Sequence, residues 1–221
     1  MKDTTVVITS CGRHDLLERT LDSLLHHNTY PIAGIFIIED GDPFVDNRLV
    51  DKYVGEANIR GIETIWVCTG ERVGQIKAID MAYTWVKTPY VFHCEDDWEF
   101  YRPGFIEASK AILEDKPKCL QVWLRDREDT NGHPITWGDA YGVMNANYKR
   151  QWHGFSFNPG LRRMSDYNQI GGGYSSIATF KRTAPWESEI AIGRYYHRLG
   201  MWAAILPEGY VRHTGDGRHV S

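Results

Sequence analysis

The first half of the chain alternates short, continuously apolar runs with stretches whose apolar residues recur at helical spacing. Val6–Ser10 has the pattern of a buried strand, and the apolar positions from Leu16 to Leu25 then fall on one helical face. The same alternation predicts strands at Ile35–Ile38, Ile62–Cys68 and Tyr90–Cys94, and a helix at Ile76–Val86. Apolar strands separated by helices are typical of a mostly parallel sheet with helices on both faces. We therefore predict the α/β fold class.

The second half begins with the same pattern and then changes character. After Pro103, residues 104–115 are predicted to form a helix and Cys119–Leu124 a strand. Residues 125–170 lack sustained periodicity and predict an irregular, substrate-facing insertion. Beyond it we expect a strand at Tyr174–Phe180, a helix at Glu187–Leu199 and a strand at Trp202–Leu206. We expect residues 1–221 to form one domain, because 221 residues can bury one sizeable core.

Polar clusters follow three of the predicted strands. They are Thr9–Arg13, Glu39–Asp42 and Glu95–Asp97. Since the carboxyl ends of parallel strands meet at one edge of the sheet, we expect the three clusters to converge on one rim. Three adjacent carboxylates repel one another unless a cation compensates them, and hard oxygen ligands favour Mg²⁺ or Mn²⁺, which can hold a diphosphate. An exposed acidic turn after a strand is the alternative interpretation of Glu95–Asp97.

Charge and composition exclude several classes of protein. The net charge is −4 and no block of Lys and Arg occurs, so neither nucleic acid nor an anionic membrane surface is an expected partner. The four cysteines are widely spaced, which predicts reduced thiols rather than a disulfide framework. No apolar run approaches the ~20 residues that span a bilayer, and no leader pattern precedes Val6. We therefore expect a cytoplasmic protein without a transmembrane segment.

The chain resembles the nucleotide-sugar-dependent glycosyltransferases of GT-A fold, most closely the inverting group called family 2. Its opening, VVITSCGR at 6–13, is similar to the first strand of that family, and Glu95–Asp97 stands in place of the DxD motif, with Glu for the first Asp. The other matching segments, in the family's order, are Ile37–Gly41, Gly74–Ala78, Glu187–Glu189, Leu199–Gly200, Leu206–Gly209 and Val211–His213. The resemblance covers nearly the whole chain. It implies a nucleotide-binding half at about residues 1–100 and an acceptor-binding half at 101–221.

The resemblance also implies roles on the donor side of a hexosyltransferase. Asp97, Glu95 and His213 would bind Mn²⁺ or Mg²⁺, and Asp96 or Glu95 would hold the ribose. The residues expected to contact the base and phosphates are Thr9, Cys11, Arg13, Glu39, Asp40 and Lys77. Arg212, Arg218 and His219 would clamp phosphate once the donor binds. A turn carboxylate at Asp40 and a solvated lysine at Lys77 are the alternatives.

An inverting transfer needs a general base for the acceptor hydroxyl. The family pattern places Glu189 at this position, with Glu187 second; the alternative is that both acids only favour the helix dipole. The insertion is expected to face a carbohydrate or other hydroxyl acceptor, and aromatic faces suit sugar rings, so the candidates are Trp98, Trp137, Trp152 and Phe155; core packing is the alternative for each. Gly171–Gly173 either allows close approach to a ligand or makes a tight turn. His93 is expected to be a satisfied core histidine.

The resemblance favours a UDP-sugar as donor. Two other functions remain open at this point: a sugar nucleotidyltransferase, and a non-catalytic nucleotide-sugar or carbohydrate-binding module of the same fold. A nucleotidyltransferase usually carries a glycine-rich basic loop after its first strand, and Ser10–Asp15 lacks that run of glycines. A non-catalytic module would have lost its base or its metal ligands, whereas Glu189, Asp97 and His213 are all present.

Overall fold

The computed structural model describes residues 2–41, 47–130, 132–144, 148–149, 151–178 and 186–215. The α-helices are α1 (His14–His27), α2 (Asn47–Ile59), α3 (Gln75–Tyr83), α4 (Phe105–Asp115), α5 (Met164–Asn168) and α6 (Trp186–Arg198). The strands are β1 (Thr4–Ser10), β2 (Gly34–Glu39), β3 (Glu63–Cys68), β4 (Tyr90–Glu95), β5 (Trp98–Phe100), β6 (Cys119–Trp123), β7 (Ile135–Trp137), β8 (Gly142–Met144), β9 (Gly160–Arg163), β10 (Trp202–Ile205) and β11 (Val211–His213).

The central sheet has the strand order β3-β2-β1-β4-β9. Strands β1 to β4 run parallel, and only β9, at one edge of this sheet, is antiparallel to its neighbour. Every residue of β1 and β2 is buried, as expected for strands that are covered on both faces. The predicted α/β class with a mostly parallel sheet is confirmed.

Alternate residues of β1 enter two separate cores. Val6 and Ile8 pack in one core with Leu17 and Leu21 of α1. Val7 belongs to the other, together with Ile79 of α3. Each fully buried aliphatic side chain of this kind contributes about 1.5–3 kcal/mol to folding. The pleat of the strand therefore fixes one helix on each face and sets the carboxyl ends of the strands at a common edge.

Two smaller sheets complete the fold. In one, the order is β6-β10-β8-β7, with β10 parallel to β6 and antiparallel to β8. In the other, β5 and β11 form a two-stranded antiparallel ribbon in which Trp98 pairs with His213. This ribbon brings the last described strand back to the end of β4.

The sequence predictions missed helix α2 and the β5–β11 ribbon and assigned one further element wrongly. Helix α2 was not predicted, although Leu49, Tyr53 and Ala57 are buried at a spacing of four residues. The strand expected at Tyr174–Phe180 is wrong, because Tyr174–Ser176 forms a 3-10 turn and residues 179–180 lie outside the described part of the chain. The insertion at 125–170 does contain short strands, β7 to β9.

The remaining general expectations concern membranes and cysteines. None of the described helices has the length and apolar character needed to cross a bilayer. All four cysteines are reduced thiols; Cys94 and Cys119 are buried, whereas Cys11 and Cys68 are partly exposed.

Candidate active site

The polar clusters at the ends of β1, β2 and β4 meet on one rim of the central sheet. The backbone N–H of Gly12 donates a hydrogen bond to Glu39 Oε1 at 2.5 Å. The backbone N–H of Cys11 donates to Asp96 Oδ2 at 3.3 Å. Helix α1 fixes the turn after β4, because Thr20 Oγ1 donates to the carbonyl of Asp96 at 2.7 Å. The convergence expected for parallel strands is therefore present.

Arg13 is the basic partner of two of the three consecutive acids. Its guanidinium forms an ion pair with Asp96, and its Nη1 lies 2.7 Å from Asp97 Oδ2. Burial raises the pKa of Asp96 to about 6, although the charge of Arg13 opposes this shift. Arg13 was expected on the base and phosphate side of the cleft; the structure places it against the acids.

Asp97 lies between Arg13 and the last strand. His213 Nε2 is 3.2 Å from Asp97 Oδ2, and Thr214 donates to the carbonyl of Asp97 through its N–H at 2.8 Å and its hydroxyl at 3.0 Å. Burial alone would raise the pKa of Asp97, but the hydrogen bond from His213 and the charge of Arg13 bring it below its ordinary value. Gly215 passes so close that a Cβ there would overlap the Asp97 carboxylate.

Glu95, the first of the three acids, makes its hydrogen bonds with Gln75 and Trp98. Its Oε1 accepts a hydrogen bond from Gln75 Nε2 at 2.5 Å, and its Oε2 accepts one from Trp98 Nε1 at 3.3 Å. Burial, followed by the negative charges of Asp97 and Glu189, raises the pKa of Glu95 to about 7. Within the described ranges, no three His, Cys, Asp or Glu side chains are arranged to hold a metal ion. The expected set of Asp97, Glu95 and His213 is thus not assembled, because Glu95 is engaged elsewhere.

Asp97 and His213 nevertheless fit a divalent cation. Asp97 Oδ1 is buried and has no hydrogen-bond partner among the described residues. A buried carboxylate oxygen without a partner is costly unless a cation or a donor satisfies it. A carboxylate oxygen beside an imidazole is a suitable donor pair for Mn²⁺.

The carboxylates expected at the nucleobase are held by backbone groups. Asp40 Oδ1 accepts from the N–H of Val73 at 2.7 Å, and Oδ2 accepts from that of Gly74 at 2.9 Å. Asp40 therefore fixes the approach to α3, which supports its interpretation as a turn carboxylate. Thr9 is buried within β1, and Lys77 is an exposed residue of α3. Asp42, Arg218 and His219 lie outside the described residues.

Glu189 lies in the first turn of α6. Its Oε1 accepts hydrogen bonds from the N–H of Phe157 at 2.7 Å and from Ser156 Oγ at 3.1 Å. Burial raises the pKa of Glu189, and these two donors oppose the shift. Glu187 is exposed on the same helix. Sequence reasoning missed Ser156 and Phe157, since nothing in an irregular segment shows which backbone N–H will meet a carboxylate.

A cavity of about 250 Å³ opens beside Glu189. Its lining includes the aromatic residues Trp123, Phe155 and Trp186 and the imidazoles of His133 and His153. Burial lowers the pKa of His133 to about 4, so this imidazole is neutral at neutral pH. The sequence had singled out neither histidine, although both lie in the aromatic-rich insertion.

Only one of the four aromatic residues expected at an acceptor lines this cavity. Phe155 does so, whereas Trp98 and Trp152 are buried in the core. Trp137 is partly exposed and carries the guanidinium of Arg127 over its ring. Core packing therefore accounts for Trp98 and Trp152.

Two further expectations are resolved by contacts. Asp80 accepts hydrogen bonds from the backbone N–H groups of Tyr174 and Ser175, both at 2.8 Å, so Gly171–Gly173 leads into a tight turn rather than a ligand contact. His93 is fully buried, as expected, but neither ring nitrogen has a hydrogen-bond partner among the described residues, so it is not a satisfied histidine.

Comparison with known proteins gives a consistent result. Residues 5–187 match the family model described as Glycosyl transferase family 2. No curated protein sequence matches the chain at a significant level. Among solved structures, the mannosyltransferase PcManGT from Pyrobaculum calidifontis, in complex with GDP-Man and Mn²⁺, is 14% identical with a TM-score of 0.70. The match covers 98% of this chain and 58% of that one.

A second similar structure is TarS 1-349 of S. aureus, which is 12% identical with a TM-score of 0.67. The match covers 97% of this chain and 61% of that one. The same fragment in complex with UDP gives 12% identity, a TM-score of 0.64, and coverage of 96% of this chain and 60% of that one. The chain thus spans about six-tenths of the length of these solved relatives. At these identities the likeness establishes the fold.

Proposed function

Because the chain belongs to glycosyl transferase family 2, we propose that it moves a hexose-type sugar from a nucleoside diphosphate sugar to an acceptor hydroxyl, with inversion and with the help of a divalent metal. The observation that carries this proposal is the position of Glu189, which is half-buried and lines a cavity, and whose negative charge contributes to the raised pKa of Glu95 on the acidic rim. This position supports the proposal that a base and a donor-side acid cluster act at one site.

On the donor side, Asp97 and His213 are the residues that would hold Mn²⁺ or Mg²⁺. Such an ion stabilises the negative charge of a diphosphate leaving group. The proposed ion is supported by the unpartnered Asp97 Oδ1 and by the Mn²⁺ in the mannosyltransferase structure. Arg13 neutralises Asp96 and Asp97, and its guanidinium can also form an ion pair with a donor phosphate. A UDP-sugar is the donor we favour, and the TarS structure with UDP supports testing it first.

On the acceptor side, Glu189 takes the proton of the attacking hydroxyl. The acceptor oxygen forms a bond to the anomeric carbon, the bond from that carbon to the diphosphate breaks, and the proton passes to the Glu189 carboxylate. Attack from the face opposite the leaving group inverts the anomeric centre. The hydrogen bonds from Phe157 and Ser156 keep the carboxylate charged and aimed at the cavity.

The cavity beside Glu189 is the proposed acceptor site. Trp186 is 58% exposed, and the buried Trp123 and Phe155 form part of the cavity wall. Aromatic faces bind the C–H groups of sugar rings, and the neutral imidazole of His133 can exchange hydrogen bonds with hydroxyls. These features support a carbohydrate acceptor in the half of the chain from residue 101 onward.

We also propose a cytoplasmic location. The reduced state of all four cysteines supports it, since disulfides are rare in that compartment.

The function is tested by the Glu189→Gln variant. Glutamine keeps the shape of the side chain but cannot accept the proton, so release of nucleoside diphosphate from the donor should fall by about 100-fold or more. The measurement is the rate of nucleoside diphosphate release with UDP-sugars and GDP-mannose in the presence of Mn²⁺, with NMR analysis of the product anomer.

Glu187→Gln is the matched control, because Glu187 lies two residues away on the same helix but is exposed. It should turn over at close to the wild-type rate. Full activity of Glu189→Gln would show that Glu189 is not the general base. A product with retained anomeric configuration would contradict the inverting mechanism. Metal-dependent donor binding without turnover in the wild type would instead identify a non-catalytic binding module.

A further inference from the structure

Arg162 is a buried cation without a carboxylate partner. It lies on β9 and is only 2% exposed. Its Nη1 donates to the hydroxyl of Tyr83 at 3.1 Å, and its Nη2 donates to the carbonyl of Ser156. No carboxylate oxygen of the described residues lies within ion-pair distance of this guanidinium. Burying an uncompensated charge is unfavourable, so the guanidinium must be stabilised by its other contacts.

The surroundings of Arg162 are aromatic. Its guanidinium carbon lies 5.3 Å from the ring centroid of Phe155 and 5.7 Å from that of Phe157. Aromatic faces stabilise a desolvated guanidinium through their negative electrostatic potential. Burial, and then the charge of Arg162, holds the pKa of the neighbouring His93 well below its ordinary value. The positive charge of this pair is therefore on Arg162. In the protein interior, where the dielectric constant is lower than in water, this charge acts more strongly on its neighbours.

A single segment connects Arg162 to Glu189. Arg162 holds the carbonyl of Ser156, while the hydroxyl of Ser156 and the N–H of Phe157 donate to the Glu189 carboxylate. Gln121 of β6 supports the same segment by accepting from the N–H of Ser156 at 3.3 Å. The two hydrogen-bond donors to Glu189 thus lie in one segment, Ser156–Phe157, which we call the strap. Arg162 holds this strap through the carbonyl of Ser156.

We propose that Arg162 is a positioning residue for the reaction, which secures the Ser156–Phe157 strap and supplies the positive charge that keeps the Glu189 carboxylate ionised. This proposal rests on the proposed function in so far as Glu189 is the base. The effect on the carboxylate itself is a property of the fold and can be measured without turnover.

The charges of Arg162, Arg125 and Glu95 act on Glu189, and the imidazoles of His133 and His153 line the same cavity. Arg162 and Arg125 lower the pKa of Glu189, with Arg162 the larger contributor, while Glu95 is the negative group across the site. Arg125 is already compensated, because its guanidinium makes a two-fold contact with Asp129 at 2.8 and 2.6 Å. Of these two arginines, Arg162 is therefore the one whose positive charge is not offset by a carboxylate partner and can stabilise the charged form of Glu189.

The test is a carbon NMR titration of protein with labelled glutamate carboxyls, in which Glu189→Gln identifies the Glu189 signal. In Arg162→Met the pKa of Glu189 should rise by about one unit relative to wild type. Arg162→Gln retains donors for Ser156 and Tyr83 without the charge and should show the same rise, which covers the case in which the methionine variant fails to fold. Arg162→Lys keeps the charge and should stay near wild type.

Arg163→Met is the matched control. Arg163 is the next residue of β9, but it pairs with Asp166 at 2.9 Å and donates to the carbonyl of Cys119, away from the strap. Its loss should affect stability and leave the pKa of Glu189 unchanged. The proposal is overturned if both uncharged Arg162 variants titrate like wild type, or if Arg163→Met produces an equal rise. The activity assay of Glu189→Gln tests whether Glu189 is the base, whereas this titration tests whether Arg162 lowers the pKa of Glu189. The two claims can therefore fail independently.

Discussion

The three consecutive acids after β4 have three different environments. Glu95 is bound by Gln75 and Trp98, Asp96 by Arg13, and Asp97 by Arg13 and His213. The pKa values diverge accordingly: those of Glu95 and Asp96 rise to about 7 and about 6, and that of Asp97 falls below its ordinary value. Adjacent residues of one type thus acquire separate chemical roles from side chains that lie far away in the sequence.

The raised pKa of Glu95 predicts a pH dependence of stability in metal-free protein. Between about pH 4.5 and 7 native Glu95 binds a proton that the unfolded chain lacks, so stability falls as pH rises through this window. Glu95→Gln removes this contribution and should be more stable than wild type at pH 8, by no more than about 3 kcal/mol. Thermal or denaturant unfolding in EDTA at several pH values measures the difference, and equal profiles for the two proteins would contradict it.

Glu99→Gln is the control of opposite sign. Hydrogen bonding to Arg212 lowers the pKa of Glu99, so its contribution to stability is present above the unfolded pKa and is lost as pH falls through the folded value. This variant should therefore be less stable than wild type at neutral pH, with the deficit shrinking on acidification.

At the scale of residues, the sequence predicted which polar clusters meet at the rim of the sheet but not the contacts within them. The resemblance implied that Asp97 and His213 share a metal ion; the structure brings His213 Nε2 to 3.2 Å from Asp97 Oδ2, and metal binding by the pair stays a prediction. The turning of Glu95 toward Gln75 was not predicted. It depends on the rotamer of Gln75 in α3, and the pattern of apolar residues does not predict that rotamer.

At the scale of elements, the β5–β11 ribbon is what completes the acidic site. Its register places His213 opposite Trp98, and the chain continues through Thr214 and Gly215 across Asp97. The approach is too close for any side chain at Gly215. The ribbon and its glycine therefore decide where the Asp97 carboxylate lies.

Gly215→Ala tests this arrangement. The added methyl group would overlap the Asp97 carboxylate and displace it from His213, so Mn²⁺ affinity should fall on the order of tenfold. Calorimetric titration of the protein with Mn²⁺ measures the change. Gly55→Ala is the control, since a Cβ at this exposed helical position meets nothing within 4 Å. Unchanged Mn²⁺ affinity in Gly215→Ala would show that the ribbon does not shape the metal site.

The predictability of the elements follows from how each is stabilised. Strands β1, β2 and β4 and helices α1, α3 and α4 have strong patterns, because they bury continuous runs or one regular face. Tyr174–Ser176 was mistaken for a strand, since its conformation is set by the carboxylate of Asp80 rather than by its own apolar residues. Short ribbons such as β5–β11 bury too few residues to show a pattern.

At the scale of the whole molecule, the proposed function draws on the parallel sheet and on the later part of the chain. The parallel sheet supplies the acidic rim, and the later part of the chain supplies His213, Glu189 and the cavity beside it. The chain spans about six-tenths of the solved relatives, so acceptor binding in a longer protein would draw on additional surface. The proposed donor-side residues Arg13, Asp97 and His213, by contrast, lie within the described residues and can be tested on this chain.

The most direct test of the account is a thermal-shift measurement with UDP-, GDP-, CMP- and dTDP-sugars, in Mn²⁺ or in EDTA, on wild type and on Asp97→Asn. A ligand that binds only the native state stabilises it by RT ln(1 + [L]/Kd), or about 2.7 kcal/mol at one hundred times Kd. We predict a shift for one nucleotide class that requires Mn²⁺ and is lost in Asp97→Asn. A shift that persists in EDTA and in Asp97→Asn, or no shift with any donor, would contradict metal-dependent binding of a nucleotide sugar at this site.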